Sequence, residues 1–399
     1  MAASCQSRAD VPDELTSRSS YSCGVSSYQA ISLFSGLGGL DLGATAAGFD
    51  IRAAVEFESD AASSLRANDP DLVVIEKSIV DMPSEEIREA AGVARGELAL
   101  IIGGPPCTPF SKSGYWLENK RRGLDPKASL VDEFARVVVD LMPAAVLMEN
   151  VHGLAYDNHN RGPFGALLGR LGEAGYRLSW QVLNAADYGV PQLRKRLFVV
   201  GTLGGNEPVF PPATHSGWTE TRRTYDRSLP AYVTSRDAIG DLESREDLRE
   251  MEEEVNGDYG HLLREVPPGD NYLHFTEKRG HPSPRFEWRT RYWTFLLKLD
   301  PDRPSTTIQS QPGPYVGPFH WKSRRLRKLE AMRLQTFPDD YQIVGSRRSA
   351  QIQIGNAVPP HLAEVVARAL REAMDGRRPS VLESQLGLSL DVVLAAGSR

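Results

Sequence analysis

Residues 29–57 read QAISLFSGLGGLDLGATAAGFDIRAAVEF, and their rhythm sets the fold. An apolar run, QAISLF, ends in the glycine turn SGLGG. A small-residue helical pattern, LDLGATAAGF, follows, and a second apolar run, IRAAVEF, closes the unit. Short apolar runs bounded by glycine read as strands, and the longer mixed pattern between them as a helix. The alternation continues outward: DLVVIEKSI, LALIIGG, AAVLMENV, LSWQVLNAADYGV and RLFVVGTLG read as strands, with DAASSLRAN, PSEEIREAA, VDEFARVVVDLM and GPFGALLGRLGEAG as helices among them. Regular β/α alternation over about 170 residues predicts an α/β fold with a doubly wound, mostly parallel sheet and helices on both faces. Such sheets bind ligands outside the carboxyl ends of their strands.

After residue 203 the rhythm breaks into Pro-rich loops, irregular aromatics and the acidic stretch DLESREDLREMEEE. Order returns near residue 349 with AQIQIGNAVPPHLAEVVARALREAM, a Gly-Asn-Pro turn leading into an amphipathic helix. The expected division is therefore a catalytic domain of residues 28–203 plus 349–376 and a smaller, irregular domain of residues 204–348. Residues 1–27 are expected to be a disordered tail and 377–399 a second tail. With 399 residues and 41% apolar side chains the chain can bury a sizeable core. Cys5 and Cys23 lie in the Ser-rich N-terminal segment, which leaves Cys107 as the one cysteine of the folded part. That usage fits a reducing cytoplasm. No apolar run approaches the ~20 residues of a membrane span, and the N-terminus lacks the apolar core of a secretory signal. The net charge of −6 gives no global attraction to nucleic acid, so any such binding needs a local patch.

Two ends of the expected sheet edge carry chemistry. Phe34-Ser35-Gly36-Leu37-Gly38-Gly39 follows the first strand, and its glycines, Gly36, Gly38 and Gly39, let a ligand approach the backbone. Glu56 ends the second strand, where a carboxylate can accept hydrogen bonds from two ribose hydroxyls. The third glycine of a dinucleotide fingerprint is absent, since position 41 is Asp. A nucleoside cofactor without pyrophosphate, S-adenosyl-L-methionine, fits better. The other end is GGPPCTPFSKSG, residues 103–114, in which two prolines stiffen the mount of Cys107. Glu149 of Met148-Glu149-Asn150-Val151 ends the next strand, and in Gln192-Leu193-Arg194-Lys195-Arg196 the two arginines share a side if the segment is extended. A lone cysteine is usually a small buried hydrophobe, ENV can be a surface strand end, and QLRKR can be a solvated basic edge. The conjunction, in this order on this fold, is far more specific than any one of them.

With these motifs, together with RPSTTI at 303–308 and IGNAVPP at 354–360, the chain resembles the DNA (cytosine-5) methyltransferases of bacterial restriction-modification type from about residue 29 to 376. The resemblance implies a methyl transfer from S-adenosyl-L-methionine, with no metal, to C5 of a flipped-out cytosine in a specific duplex sequence. It implies Cys107 as the nucleophile at C6, Glu149 as the partner of N3 and the exocyclic amine, and Arg194 and Arg196 as residues that orient the base. It implies adenine stacking by Phe34, ribose binding by Glu56, pocket walls at Pro106 and Leu130, and Asn356 near the methionine portion. The family's Asp-Ile pair, which contacts the adenine amine, is replaced here by Ser78-Ile79, with an aspartate only at Asp81. Residues 111–129 match the loop that closes over the flipped base, and Lys112, Lys120, Arg121, Arg122 and Lys127 suit phosphate contacts. Double-stranded DNA is the expected partner of a monomeric, cytoplasmic, nucleoid-associated enzyme without membrane contact, and a restriction endonuclease acting on the same site the expected companion.

The interval between RLFVVG and RPSTTI matches the family's target-recognition region. In it, Lys278, Arg279, Arg285, Arg289, Arg291 and Lys298 interleave with Phe286, Trp288, Tyr292 and Trp293, a composition suited to reading guanine edges from an aromatic scaffold. HWKSRRLRKLEAMRLQ reads as a helix with phosphate-facing charges, and the acidic stretch 241–254 as a solvated helix. Two other readings stand beside the main one: a tRNA cytosine-5 methyltransferase, and a catalytically silent DNA-binding relative. A small-molecule methyltransferase fits least, having no use for the second domain.

Overall fold

The computed structural model describes residues 28–106, 130–156, 161–217, 219, 225–289 and 292–377. The expectations placed on residues 1–27, on Cys107 and the loop 111–129, on Arg291 and on the tail from 378 fall outside the described residues. In chain order the main elements are β1 (Tyr28–Leu33), α1 (Gly39–Ala46), β2 (Phe49–Val55), α2 (Ser59–Asn68), β3 (Val73–Ile75), α3 (Ser84–Ala90), β4 (Leu100–Gly103), α4 (Leu130–Leu141) and β5 (Ala145–Val151). There follow α5 (Arg161–Glu173), β6 (Tyr176–Asn184), β7 (Gln192–Leu193), β8 (Lys195–Leu203), β9 (Ser305–Thr306), α6 (Lys328–Leu334), α7 (Arg347–Asn356) and α8 (Pro360–Met374).

Seven strands form one sheet in the order β3-β2-β1-β4-β5-β8-β6. The five strands from β3 to β5 pair in parallel, and β8 runs antiparallel to both β5 and β6. The strand order reverses direction between β1 and β4, so the turns that leave these two strands flank one crevice. The strand interiors alternate between two cores. Ile31, Ile101, Val146, Met148 and Val199 face the side covered by α4 and α5. Ala30, Leu100, Ile102, Leu147, Phe198 and Val200 face α1 and α8. Burial on both faces explains why the strands read as continuous apolar runs. The mostly parallel α/β fold expected from the sequence is the fold observed.

The third expected strand is shorter than its apolar run: DLVVIEKSI pairs only over Val73–Ile75, then turns into a short 3₁₀ segment at Ile79–Asp81. Two larger corrections concern charge. The acidic stretch is not a solvated helix; it holds 3₁₀ turns at Gly240–Leu242 and Glu246–Leu248. A helix there would stack like charges one turn apart, whereas the irregular path lets its acids meet cations. The Arg327 Nε donates to Glu253 at 2.9 Å, the Lys322 Nζ lies 2.6 Å from Glu243, and Glu250 pairs with Arg347. The second basic run is helical only over Lys328–Leu334, and its arginines do not face outward as a phosphate patch. Arg324 donates to Glu330 at 2.6 Å, and Arg333 reaches Asp241 at 2.7 Å and Asp339 at 2.6 Å. Lys298 of the aromatic interval is buried as well, donating to the Val266 carbonyl. Around it Tyr272, Phe275, Leu296 and Phe319 form a compact core against which Phe286 and Trp288 pack, while Tyr292 and Trp293 are half exposed.

The Glu253–Arg327 pair is 5% and 4% exposed, so removing one partner strands a buried charge. Glu253→Ala is expected to lower stability by about 3–5 kcal/mol in urea unfolding. Asp302→Ala, which breaks an exposed contact with Arg236, is expected to cost under about 1 kcal/mol. Equal losses in the two variants would contradict the assignment of the acidic stretch to the protein's internal frame.

Candidate active site

The turn after β1 is shaped by backbone conformation. Phe34, Gly36 and Gly38 adopt φ of 56°, 56° and 80°, a region that glycine enters freely and phenylalanine does not. Holding Phe34 there is the kind of local strain that collects at binding sites. Gly39 is required by contact: a Cβ on it would lie 2.0 Å from the Val358 carbonyl oxygen. At the end of β2 the Glu56 carboxylate accepts the Gly36 N–H at 2.6 Å and the Glu58 N–H at 2.8 Å. Burial pushes this carboxyl up from its ordinary value, and the backbone donors pull it back. The Phe57 N–H is a third backbone donor to this group, and a carboxylate with about four acceptor sites keeps capacity for a ligand's hydroxyl.

Behind the glycine turn lies Asp41, in the first turn of α1 and 7% exposed. Its Oδ1 accepts the Ser32 hydroxyl at 2.6 Å, and Ser32 in turn accepts the Ser35 hydroxyl at 2.7 Å. Among the described residues its Oδ2 has no hydrogen-bond partner. Burial first, and the nearby charge of Glu56 after it, raise this carboxyl to about 7, against the pull of the Ser32 hydrogen bond.

On the other side of the crevice β4 runs out through Gly104-Pro105-Pro106 toward Cys107, the first residue beyond the described segment. Asn150 holds this turn, since its buried side-chain amide donates to the Pro105 carbonyl at 2.8 Å while its oxygen accepts the Val151 N–H at 2.9 Å. Glu149, one residue earlier on β5, is 7% exposed, with the Arg196 Nε 2.9 Å from its Oε1. Antiparallel pairing of Val151 with Arg196 sets the two side by side. Burial raises the Glu149 carboxyl, opposed by the charges of Arg196 and Arg194. Arg194 is turned inward too, but away from the crevice. It is fully buried and donates to the carbonyls of Ile308 at 3.3 Å and of Gly355 and Ala357 at 2.8 Å.

One cavity of about 1090 Å³ joins both ends. Phe34, Gly36, Gly39, Glu56, Ser78, Ile79, Pro106, Leu130, Glu149, Arg196 and Asn356 all line it, whereas Gly38 and Arg194 do not. Ser78 and Ile79 face it from the turn after β3, while Asp81 is exposed and is not part of the wall. Three contributors escaped the sequence reading. Phe57, next to Glu56 and half exposed, adds a second ring to the Phe34 side, and its place after the strand-ending acid was the available signal. Thr307–Gln311 supply a polar wall from a distant segment; its first two residues fall in the RPSTTI motif, but nothing local announced that they line the cavity. The Asn150 clamp was hidden inside ENV, where only the glutamate drew notice. The arrangement offers ribose acceptors and aromatic rings at one end, and at the other a buried carboxyl beside a guanidinium. Among the described residues no group of His, Cys, Asp and Glu could hold a metal ion.

The family of C-5 cytosine-specific DNA methylases matches the chain over residues 28–372. The Type II methyltransferase M.SacI of Streptomyces achromogenes is 46% identical over 381 residues, covering 90% of this chain and 96% of that protein. The Type II methyltransferase M.AquIA of Picosynechococcus is 42% identical over 226 residues, 53% of this chain and 88% of that one. Among solved structures, a mutant of Spodoptera frugiperda DNMT2 shares the fold with a TM-score of 0.55 at 17% identity, covering 87% of this chain and 100% of that one.

Asn150→Asp keeps the size of the side chain but sets an oxygen against the Pro105 carbonyl. The loss expected in urea unfolding is about 1–3 kcal/mol, the cost of leaving a buried polar group unsatisfied. Wild-type stability in this variant would show that the turn before Cys107 is held by other means.

Proposed function

We propose, from the premise that this chain belongs to the family of C-5 cytosine-specific DNA methylases and is a DNA cytosine-5 methyltransferase, that Cys107, Glu149 and Arg196 carry the reaction at one end of the cavity and that S-adenosyl-L-methionine binds at the other. The observation that supports this most is the buried Glu149–Arg196 pair opening into the same cavity as Glu56 and the glycine turn. The cradle suits a nucleoside: free acceptor capacity on Glu56, rings at Phe34 and Phe57, and a glycine where a Cβ would not fit. When bound there, S-adenosyl-L-methionine supplies an electrophilic methyl group.

The protein's part follows from its groups. Cytosine C5 is a weak nucleophile until C6 is saturated. The Cys107 thiolate forms an S–C6 bond, and the electron pair of the C5–C6 double bond moves to C5. Glu149, whose carboxyl is raised by burial, hands N3 a proton and so accommodates the charge that would build on the ring. Arg196 fixes that carboxyl in place and favours the thiolate by its charge. C5 takes the methyl group and loses its proton to a base; the electron pair of that C–H bond restores the double bond as the Cys107 sulfur leaves as thiolate, and N3 returns its proton to Glu149. Neither C5 nor C6 is accessible in a stacked duplex, so the cytosine is flipped out at a cost of a few kcal/mol. Arg194 is assigned a positioning role through the backbone it holds. Residues 28–203 with 349–376 form the catalytic part and 204–348 the recognition part of a monomeric enzyme acting on double-stranded DNA. The names of the Type II relatives support a role beside a restriction endonuclease of the same site.

Bisulfite sequencing of DNA from cells expressing the protein, beside cells expressing Cys107→Ala, tests the reading. Protected cytosines in one short sequence context, absent with Cys107→Ala, are expected. Protection confined to RNA would move the substrate to tRNA, and protection retained by Cys107→Ala would remove Cys107 from the chemistry. In calorimetry Ser78→Asp is expected to tighten S-adenosyl-L-methionine binding, because it places an acceptor on the wall that Asp81 does not reach. Equal or weaker binding would assign the adenine side to other groups.

A further inference from the structure

Asp41 is the buried titratable group that the reaction leaves unused, and its hydrogen bonds lead to the cavity. An ionised carboxylate only accepts, so the Ser32 hydroxyl must point its proton at Asp41. The Ser32 oxygen is then the acceptor for Ser35. Ser35, which lines the cavity, thereby spends its one proton inward and presents only lone pairs to a ligand. Among the described residues the titratable groups facing Asp41 are Glu56 at the end of β2 and the neutral Tyr341 phenol, which donates to the Leu37 carbonyl at 2.7 Å. Neither is a cation, and Oδ2 has no hydrogen-bond partner among them.

We infer that Asp41, acting through Ser32 and Ser35, makes the cavity prefer a cationic methyl donor over its neutral demethylated product. The inference rests on the reading that S-adenosyl-L-methionine is the cofactor. The donor carries a sulfonium, and the product, S-adenosyl-L-homocysteine, carries a neutral thioether on an otherwise identical frame. A buried carboxylate without a counter-ion, behind a thin wall of glycines and serines, favours the charged member of this pair. It does so only while ionised, and the entering cation in turn favours its ionisation. Contacts with ribose, adenine or the amino-acid portion are common to both ligands, so their ratio isolates the sulfur's charge, and Asp41→Asn separates the share of Asp41 from that of Glu56 and Glu149 in the same cavity. Asp41 is thus a positioning residue whose effect falls on selectivity, and through it on inhibition by product.

The test is calorimetric titration of the full chain with S-adenosyl-L-methionine and with S-adenosyl-L-homocysteine between pH 6 and 8, in two buffers of different ionisation enthalpy. The wild-type preference for the donor is expected to rise by about tenfold across this range, the size of one partly screened charge interaction. Donor binding near pH 7 should also release more protons than product binding. Asp41→Asn should hold the preference constant at its low-pH value and abolish the difference in proton release. Ser32→Ala, which cuts the relay and keeps the carboxylate, should lose part of the preference. A wild-type ratio that does not change with pH, a measurement independent of any variant's folding, overturns the inference. An unchanged ratio profile in Asp41→Asn overturns it equally. Absence of donor binding by the wild type at every pH would instead overturn the cofactor reading itself.

Discussion

The Arg194 guanidinium holds together the walls on which the cavity depends. It sits between β7, which belongs to the two-stranded pairing with β9, and β8, which belongs to the main sheet. From that junction it donates to Ile308, just after β9, and to Gly355 and Ala357 at the end of α7. Three segments far apart in sequence thus share one fully buried cation. Burying such a charge is costly unless its donors are satisfied; the two terminal nitrogens of Arg194 are, while its Nε has no partner among the described residues, and the planar fork reaches separate carbonyls as the point charge of lysine would not. Gln192 and Gln335 extend the same fastening. Gln192 donates to the Leu334 carbonyl at 3.1 Å and accepts the Ile308 N–H at 3.2 Å, and Gln335 donates to the Ile354 carbonyl at 2.6 Å. The polar wall Thr307–Gln311 and the turn bearing Asn356 keep their places because this buried amide and guanidinium network leaves the backbone few other partners.

Charge in the second half of the chain is spent in a similar way. A sequence with an acidic stretch and a basic run invites the picture of two solvated faces, one of them turned to phosphate. Here the two neutralise one another inside the protein. Glu253 and Arg327 are buried, and Glu330, also buried, takes the Arg324 fork. Glu250 reaches Arg347, whose neighbours Ser346, Arg348 and Ser349 line the cavity. The acidic segment therefore braces a wall of the cavity. Phosphate contacts then have to come from cations outside this frame, and the count of lysines and arginines in a run says little about how many face a duplex.

How far the sequence could be read follows from which forces are local. Two-sided burial gives long apolar runs, so the strands of the sheet were legible, and the glycine turn with Glu56 and the ENV strand end marked both sides of the crevice. The short third strand was not, because the end of pairing after Ile75 depends on what lies beside it and not on its own residues. Asn150 and Gln309–Gln311 enter the cavity through tertiary contacts whose partners are tens of residues away or carry no distinctive composition, whereas Phe57 beside Glu56 and Thr307–Ile308 within RPSTTI carried local signals. The fate of charged side chains was least legible of all. Whether Arg333 faces solvent or Asp241 is decided by a partner 92 residues distant, and helical periodicity contains no trace of it.

The cavity itself can be understood as a place where burial tunes carboxyls to different tasks. Glu56, Glu149 and Asp41 are all below a tenth exposed, and burial raises all three. What separates them is the company each keeps. Backbone N–H groups hold Glu56 as an acceptor. A guanidinium beside Glu149 keeps it oriented while burial favours its protonated form. Asp41 has no cation beside it among the described residues, only the Ser32 and Ser35 hydroxyls and its own backbone N–H, and with Oδ2 unpartnered there it retains the greatest unmet demand for positive charge. A reaction that brings in a sulfonium and leaves a thioether changes the charge in the cavity by one unit at each turnover. A site whose three acids were all neutralised by fixed partners would bind both forms alike, and product would linger. An acid left short of a counter-ion makes exchange of the neutral product for a fresh donor the downhill direction.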